Sequence, residues 1–260
     1  CSVGLDNAVS VWHIDQGHRV HVLSGHNRRV QSVSSDLQGK VIATASWDCT
    51  VKIWNVTKGD RNCELLIGSP VNCVDFHPEG QLIVTGSWDA TLKIWDIFHK
   101  QRKAVLRGHS TSVRDVAYSP SGRHIASASL DGDVKLWSAT AGTQVGNIKG
   151  HSLPINKLTF SPSGKELVTV SDDHKVKVWS GNLGKPVQCI EGDYGAAMSV
   201  ALDPDNDAIY VGYHSGDIRS FDVSTGWEIY SHKHHTASVR CIKYIGNGFV
   251  VAGSDDNTVS

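Results

Sequence analysis

The chain has 260 residues, 40% of them hydrophobic, and a formal net charge of −1. That balance suits a globular domain with a substantial core and gives no global pull toward nucleic acid or anionic lipid. No apolar run approaches the roughly 20 residues of a membrane span, and no leader or lipidation motif is visible. The six cysteines, Cys1, Cys49, Cys63, Cys73, Cys189 and Cys241, contain no C-x-x-C pair or zinc-type spacing, and they read as buried thiols of a reducing compartment.

In chain order, one sentence is written again and again. "SVGLDNAVSVW" closes at Trp12, "IATASWDCTVKIW" at Trp54, "IVTGSWDATLKIW" at Trp95, "IASASLDGDVKLW" at Trp137, "LVTVSDDHKVKVW" at Trp179, and "IYVGYHSGDIRSF" at Phe221. The closing aromatics lie 42, 41, 42, 42 and 42 residues apart. A fixed period over the whole chain marks a repeat architecture, so 1–260 reads as a single repeat domain.

Each period is strand-like. "TVKIW" sets Val51 and Ile53 against Lys52 and Trp54 with a period of two. "VNCVDF", "VRDVAY" and "INKLTF" are short β-rich runs that lead into turns where Pro78, Pro120 and Pro162 fix φ and Gly80, Gly122 and Gly164 relieve the end. A second turn carries Gly17, Gly59, Gly142, Gly184 and Gly226 in register, with Lys100 in that slot of the third repeat. The third repeat thus holds four strands near 71–76, 81–87, 90–96 and 102–107, with no helical segment between them. Four antiparallel strands per unit form a sheet that cannot cover both its faces alone; set radially, each sheet covers its neighbours.

The repeats resemble those of the WD40 family. Gly-His opens units at Gly25-His26, Gly108-His109 and Gly150-His151, and Trp95 is followed by Asp96. The resemblance implies an all-β, WD40-type β-propeller of about seven four-stranded blades, the first and last of them incomplete. It also implies a buried chain of hydrogen bonds through His, Ser or Thr, Asp and Trp in each regular blade. That chain maps to His26, Thr44 or Ser46, Asp48 and Trp54; to His109, Ser127 or Ser129, Asp131 and Trp137; and to His151, Thr169 or Ser171, Asp173 and Trp179. Both hydroxyl candidates share strand parity, so the choice between them stays open; the one nearer the turn, Ser46, Ser129 or Ser171, is taken as the working assignment. The need is physical: a buried carboxylate is tolerated only when paired or multiply hydrogen-bonded.

A His-Asp-Ser set invites comparison with a hydrolase triad. Here it recurs in several blades, and no G-x-S-x-G elbow exists, so the reading is structural and the chain is not expected to be an enzyme. The fourteen histidines hold no H-E-x-x-H, and His232, His234 and His235 cluster without a carboxylate nearby, so no metal and no cofactor is expected. Two units depart from the pattern. The third has Gly68-Ser69 in place of Gly-His. The sixth has Gly192-Asp193, Ser215 in the Asp slot and Phe221 for Trp, so its network should be absent and Val200, Leu202, Ile209 and Val211 should hold it. It is expected to be the softest complete blade. The seventh recovers His235 and Asp256.

Both ends fall inside blades, which suggests a segment of a longer intracellular protein, such as a double propeller or the sensor region of a NACHT-type scaffold. The expected role is a non-catalytic platform that binds a protein or peptide on its top face; the alternative is an RNA-binding propeller in a ribonucleoprotein scaffold. The basic run "HKQRKAVLR" reads as charge that blocks an edge strand rather than as a nucleic-acid site, and no membrane partner is implied. By resemblance, the residue before each turn Asp lies on the top face: Leu5, Trp47, Trp88, Leu130, Asp172, His214 and Asp255. So do residues flanking the start of each first strand: Arg29 and Gln31, Asn72, Arg114, Asn156, Met198 and Arg240. Trp47, Trp88 and Leu130 are expected side by side, bordered by Arg29 and Arg114. Asp172 and Asp255 would favour a ligand that is basic at its far end.

Overall fold

The computed structural model describes residues 1–3, 6–13, 16–180, 184, 186–203, 208–246 and 248–260. Leu5, one of the expected top-face residues, lies outside them. Every regular element among the described residues is a strand. Five antiparallel sheets of four strands follow one another, each in sequential order. Blade 2 runs Val30–Ser35, Val41–Ser46, Thr50–Asn55 and Asp60–Leu66, and blade 3 runs Val71–Phe76, Leu82–Ser87, Thr91–Asp96 and Gln101–Arg107. Blade 4 holds Val113–Tyr118, His124–Ser129, Asp133–Ser138 and Gln144–Lys149; blade 5 holds Ile155–Phe160, Glu166–Ser171, Lys175–Ser180 and Pro186–Glu191. Blade 6 holds Ala197–Asp203, Ala208–Tyr213, Asp217–Asp222 and Glu228–Lys233. A three-stranded sheet (Ser2–Val3, Val9–His13, His18–Leu23) precedes these. A two-stranded one (Val239–Gly246, Phe249–Ser254) follows, extended by a bridge from Gly253 to Val259. The chain divides into two compact units, Cys1–Ser127 with Trp137–Gln144, and Ala128–Leu136 with Val145–Ser260.

In the first unit, blade 2 shows why the repeat is written as it is. Every residue from Thr50 to Trp54 is buried, Lys52 included. The alternation in "TVKIW" therefore separates two buried faces rather than inside from outside. Val51 and Ile53 pack with Val71, Val74 and Phe76 of blade 3. Ile42 and Trp54 pack with Val9, Val11 and Leu23 of blade 1. Burying each such aliphatic side chain stabilises the fold by about 1.5–3 kcal/mol, and only the neighbouring blades supply the cover. The approach is close. A Cβ added to Gly86 would come within 2.6 Å of both Cys73 Sγ and Val113 Cγ1.

One carboxylate joins three successive first strands. Asp75 Oδ1 accepts from Ser34 Oγ of blade 2 at 2.9 Å, and Oδ2 accepts from the Tyr118 amide of blade 4 at 2.8 Å. Desolvation among the packed strands, with Asp115 nearby, outweighs these bonds and pushes the Asp75 carboxyl up to about 6.

The second unit repeats the plan. Val168, Val170, Val176 and Val178 of blade 5 pack with Val200, Ile209 and Val211 of blade 6. Leu202 is only partly buried there, and much of the cover comes from Tyr213 and Phe221 instead. The thiols depart from expectation: Cys63 and Cys73 are buried, Cys49 and Cys189 are half-buried, and Cys1 and Cys241 are exposed.

Candidate functional site

The second-to-third-strand turn of each blade carries two things: the end of the buried polar network and the residue that precedes the turn Asp. In blade 2, His26 Nδ1 lies 2.7 Å from Asp48 Oδ2 and Nε2 lies 2.7 Å from Thr44 Oγ1. Trp54 Nε1 donates to the same Thr44 oxygen at 2.9 Å. With the His proton on Nδ1, facing the carboxylate, every bond has one hydrogen: indole to threonine, threonine to imidazole, imidazole to aspartate. Burial holds the His26 imidazole below its ordinary value against the pull of Asp48, which keeps it neutral at pH 7. Burial pushes the Asp48 carboxyl up, but bonds from Thr50, His26 and the Asn27 amide outweigh it and leave the group below the usual carboxylate range. Blade 5 repeats this with His151, Thr169, Asp173 and Trp179: His151 Nε2 lies 2.8 Å from Thr169 Oγ1 and Trp179 Nε1 donates to it at 2.9 Å. In blade 4, His109 Nε2 and Trp137 Nε1 converge on Ser127 Oγ at 2.7 and 2.9 Å. Asp131, which belongs to the second unit, accepts the Asp133 amide at 3.0 Å.

The assignment to Ser46, Ser129 and Ser171 is therefore corrected to Thr44, Ser127 and Thr169. The three serines sit next to the turn and serve it locally. Ser46 Oγ donates to the Arg28 carbonyl at 2.9 Å and accepts the Asp48 amide at 3.1 Å; Ser171 does the same for Pro154 and Asp173, and Ser129 accepts the Asp131 amide.

Blade 3 keeps its Asp without a His. Lys93, only 5% exposed, reaches Asp89 Oδ2 at 2.6 Å, Thr91 Oγ1 at 2.9 Å and Ser87 Oγ at 3.2 Å. Against some desolvation, the Lys93 ammonium and the Thr91 and Ser87 hydroxyls pull the Asp89 carboxyl down to about 2. Trp95 Nε1 is buried and has no partner among the described residues. A signal existed in the sequence: a cation recurs in the third strand at Lys52, Lys93, Lys135, Lys177 and Arg219. Lys52 pairs with Glu64, Lys177 donates to the Gly150 carbonyl, and Arg219 pairs with Glu228 at 2.8 Å. In blade 6, the ring of Tyr194 lies 5.7 Å from Tyr213 and 5.9 Å from Phe221, and Arg219 stacks on it at 4.3 Å.

The flanking first-strand residues share a backbone cause. The pairing register slips between Val30 and Ser32, Val71 and Cys73, Ile155 and Lys157, Ala197 and Ser199, and Val239 and Cys241. Gln31, Asn72, Asn156, Met198 and Arg240 are thus the extra residues of β-bulges, which re-aim side chains. Asn72 is the clearest case. Its Nδ2 donates to the Val113 carbonyl at 2.7 Å and to Ser112 Oγ at 2.9 Å, which fixes the amide. Its Oδ1 then accepts both indoles, Trp88 Nε1 at 2.8 Å and Trp47 Nε1 at 3.2 Å. The two rings meet edge to face at 5.3 Å, and the Arg29 guanidinium lies 5.5 Å from the Trp47 ring centre. Trp88 is 52% exposed and Trp47 half-buried. Gln31 and Arg114 are half-buried.

In the second unit the same slots are answered within their own blades. Asp172 accepts from Asn156 Nδ2 at 2.7 Å, and Asp255 pairs with Arg240 Nε at 2.6 Å, so both carboxylates already have partners. Leu130 and His214 are exposed. Asn72, Asn156 and Met198, expected as contact residues, are buried. No group of three or more His, Cys, Asp or Glu side chains among the described residues is placed to hold a metal ion. No helix among them is long and apolar enough to cross a membrane.

Comparison with known proteins gives the arrangement its relatives. The model of the "IFT122 first beta-propeller" family matches residues 67–260, and that of the "WD domain, G-beta repeat" matches residues 17–55. The chain is 36% identical over 78 residues to "Eukaryotic translation initiation factor 3 subunit I" of Lodderomyces elongisporus, a match covering 30% of this chain and 22% of that protein. It is 32% identical over 81 residues to "Periodic tryptophan protein 2" of Saccharomyces cerevisiae, covering 30% of this chain and 9% of that one. It is 34% identical over 67 residues to "NACHT domain- and WD repeat-containing protein 1" of Mus musculus, covering 26% and 4%. Each match thus spans about a fifth or less of the relative's own length. With three quarters of its length matched by one propeller family, and with blades of four antiparallel strands closed by an aromatic, the chain belongs to the WD40-type β-propellers.

Proposed function

We propose that the chain is a non-catalytic scaffold module of an intracellular protein, and that it grips a protein or peptide ligand through the Trp47–Trp88 pair. The observation that carries this reading is that Asn72 uses both indole N–H groups internally. The polar edges of the rings are spent on positioning, and the exposed apolar face of Trp88 is left to meet a ligand. Held aromatics bordered by Arg are what binding hot spots favour, and an exposed Trp on a packed surface calls for a partner. Arg29, which borders the pair, would answer an acidic group. The relatives fit a role in assemblies, since one is by name a subunit of a larger factor.

The test compares the wild-type chain with Trp88→Ala as bait. Proteins held by the first and released by the second are identified, then titrated. The expected loss is about 2 kcal/mol or more, roughly 30-fold in Kd, with little change in melting temperature. Equal retention by both baits would move the ligand elsewhere on the blades.

A further inference from the structure

The turns that join the first to the second strand and the third to the fourth lie at the end of blades 2 and 3 opposite to Trp47 and Trp88, as antiparallel order requires. There the two blades frame a groove of about 560 Å³. Its floor is apolar and covered: Ile53, Cys63 and Ile97. Its rims are apolar and bare: Leu37 is 88% exposed on the blade 2 side and Phe98 70% exposed on the blade 3 side. Burial holds the Cys63 thiol above its ordinary value, so the floor is inert as well as apolar.

The blade 3 rim departs from the repeat at two positions, and both departures face this groove. The slot of Phe98 holds Asp15, Thr57, Thr140, Asn182 and Ser224 in other repeats, residues that suit a turn. The slot of Lys100 holds glycine in every other repeat that has it: Gly17, Gly59, Gly142, Gly184 and Gly226. Lys100 adopts φ 54°, the left-handed conformation of Gly59 at 70° and Gly142 at 67°, where a side chain other than glycine's is disfavoured. A large apolar residue left in solvent and a lysine in a glycine's conformation both work against the turn. Their common effect is to put a hydrophobic wall and a cation on one groove. Lys100 has no carboxylate within ion-pair distance among the described residues. On the facing turns, Asp36 Oδ1 is used by the Lys40 and Val41 amides, and Glu79 stands exposed.

We propose that this groove is a second docking site, which takes an extended peptide segment of a partner protein with a bulky apolar side chain seated between Leu37 and Phe98. Beside that anchor the peptide carries an acidic residue toward Lys100 and a basic one toward Glu79. The site is independent of the Trp47–Trp88 pair, which faces the other way.

The test uses a display library of short random peptides, selected on the chain and counter-selected on the Phe98→Thr, Lys100→Gly double variant. Both substitutions restore the residue types of the other blades, so the variant should melt no lower than the wild type and gain from the glycine. The expected result is enrichment of peptides with a Leu or aromatic anchor and a neighbouring Asp or Glu. These should bind the double variant at least about tenfold more weakly and Trp88→Ala unchanged. Peptides that bind wild type and double variant alike would overturn the proposal, as would failure to enrich any sequence over the variant. Self-association of the wild-type chain that the double variant abolishes would assign the groove to a second copy and also overturn it.

Discussion

Blades 2 and 3 solve one problem with different chemistry. Each places an Asp at the turn between its second and third strands, and each must answer that carboxylate beside a packed core. Blade 2 does it with His26, a neutral donor tied through Thr44 to Trp54. Blade 3, with Ser69 in the His slot, does it with the ammonium of Lys93, sent inward from the third strand. The exchange has a consequence at the far end of the network. In blade 2 the indole donates to the Thr44 hydroxyl, which in turn donates to the imidazole, whereas in blade 3 the indole of Trp95 is buried without an acceptor among the described residues. Between these two blades the Asp is kept, and its counter-group varies in identity, charge and direction of approach.

The largest effects should come from removing the carboxylates. Asp89→Ala leaves a buried ammonium without its counter-charge and is expected to cost about 3–5 kcal/mol. Asp48→Ala leaves neutral donors unmet, the His26 Nδ1–H and the Asn27 and Thr50 amides, and should cost about 2–4 kcal/mol. Denaturant melts of the two variants read the difference; a greater loss from Asp48→Ala would show that Lys93 is hydrated and the contrast false.

Next come the closing tryptophans. Trp54→Phe takes the indole donor from Thr44 and should cost about 1–3 kcal/mol. Trp95→Phe removes a donor that has no partner, so its cost should stay under about 1 kcal/mol. Equal losses would mean that ring volume, not hydrogen bonding, sets the value of this position.

Acid should separate the blades further. The folded-state values of His26 and His151 are lowered by burial, so the unfolded chain binds more protons as pH falls. Their contribution is complete above the ordinary histidine value of about 6.5 and declines below it. Asp75 acts in the opposite sense. Its folded value, raised to about 6, makes the folded chain the better proton acceptor between there and the ordinary carboxylate range, so its contribution grows as pH falls. Replacing His26 by Gln should therefore flatten the loss of stability between neutral pH and about pH 5.5. A slope unchanged in His26→Gln would remove blade 2 from the titration.

The smallest expected effect is in blade 6. Ser215 stands in the Asp slot, exposed, with its hydroxyl on Asp217 at 2.8 Å. Ser215→Ala should cost well under 1 kcal/mol. A loss comparable to that of Asp48→Ala would mean that Ser215 anchors blade 6 in a way its contacts do not show.

Much of this was legible before any coordinates. The period gave the blades, and the strands of blade 3 begin and end within one residue of those read from turn residues and alternation. The choice between Thr44 and Ser46 was not legible, because both point to the same side of one strand. Depth decides it: Ser46 is next to the turn and is taken by the Asp48 amide, while Thr44, two residues further in, is within reach of both rings. Lys93 was hidden for a different reason. A missing His reads as a missing network, and a lysine in an alternating strand reads as a solvent-facing residue. The bulges were invisible too, since an extra residue leaves no mark on a period counted from aromatic to aromatic. They account for the aim of Asn72, and with it for the held tryptophan pair.

Repeat arrays are usually governed by contacts between nearest neighbours, so that one unit can open without disturbing the unit beyond it. Asp75 links two such neighbour contacts through one side chain within the first unit, since it holds blade 2 through a serine hydroxyl and blade 4 through a backbone amide. Opening any one of the three first strands would release a carboxylate bond to another blade. The amide of Tyr118 should accordingly exchange its hydrogen as slowly as the most protected amides of blade 2, and the two should gain or lose protection together. Blades 2 to 4 would then open along their first strands as one cooperative body, the outer strands remaining free to fray one at a time.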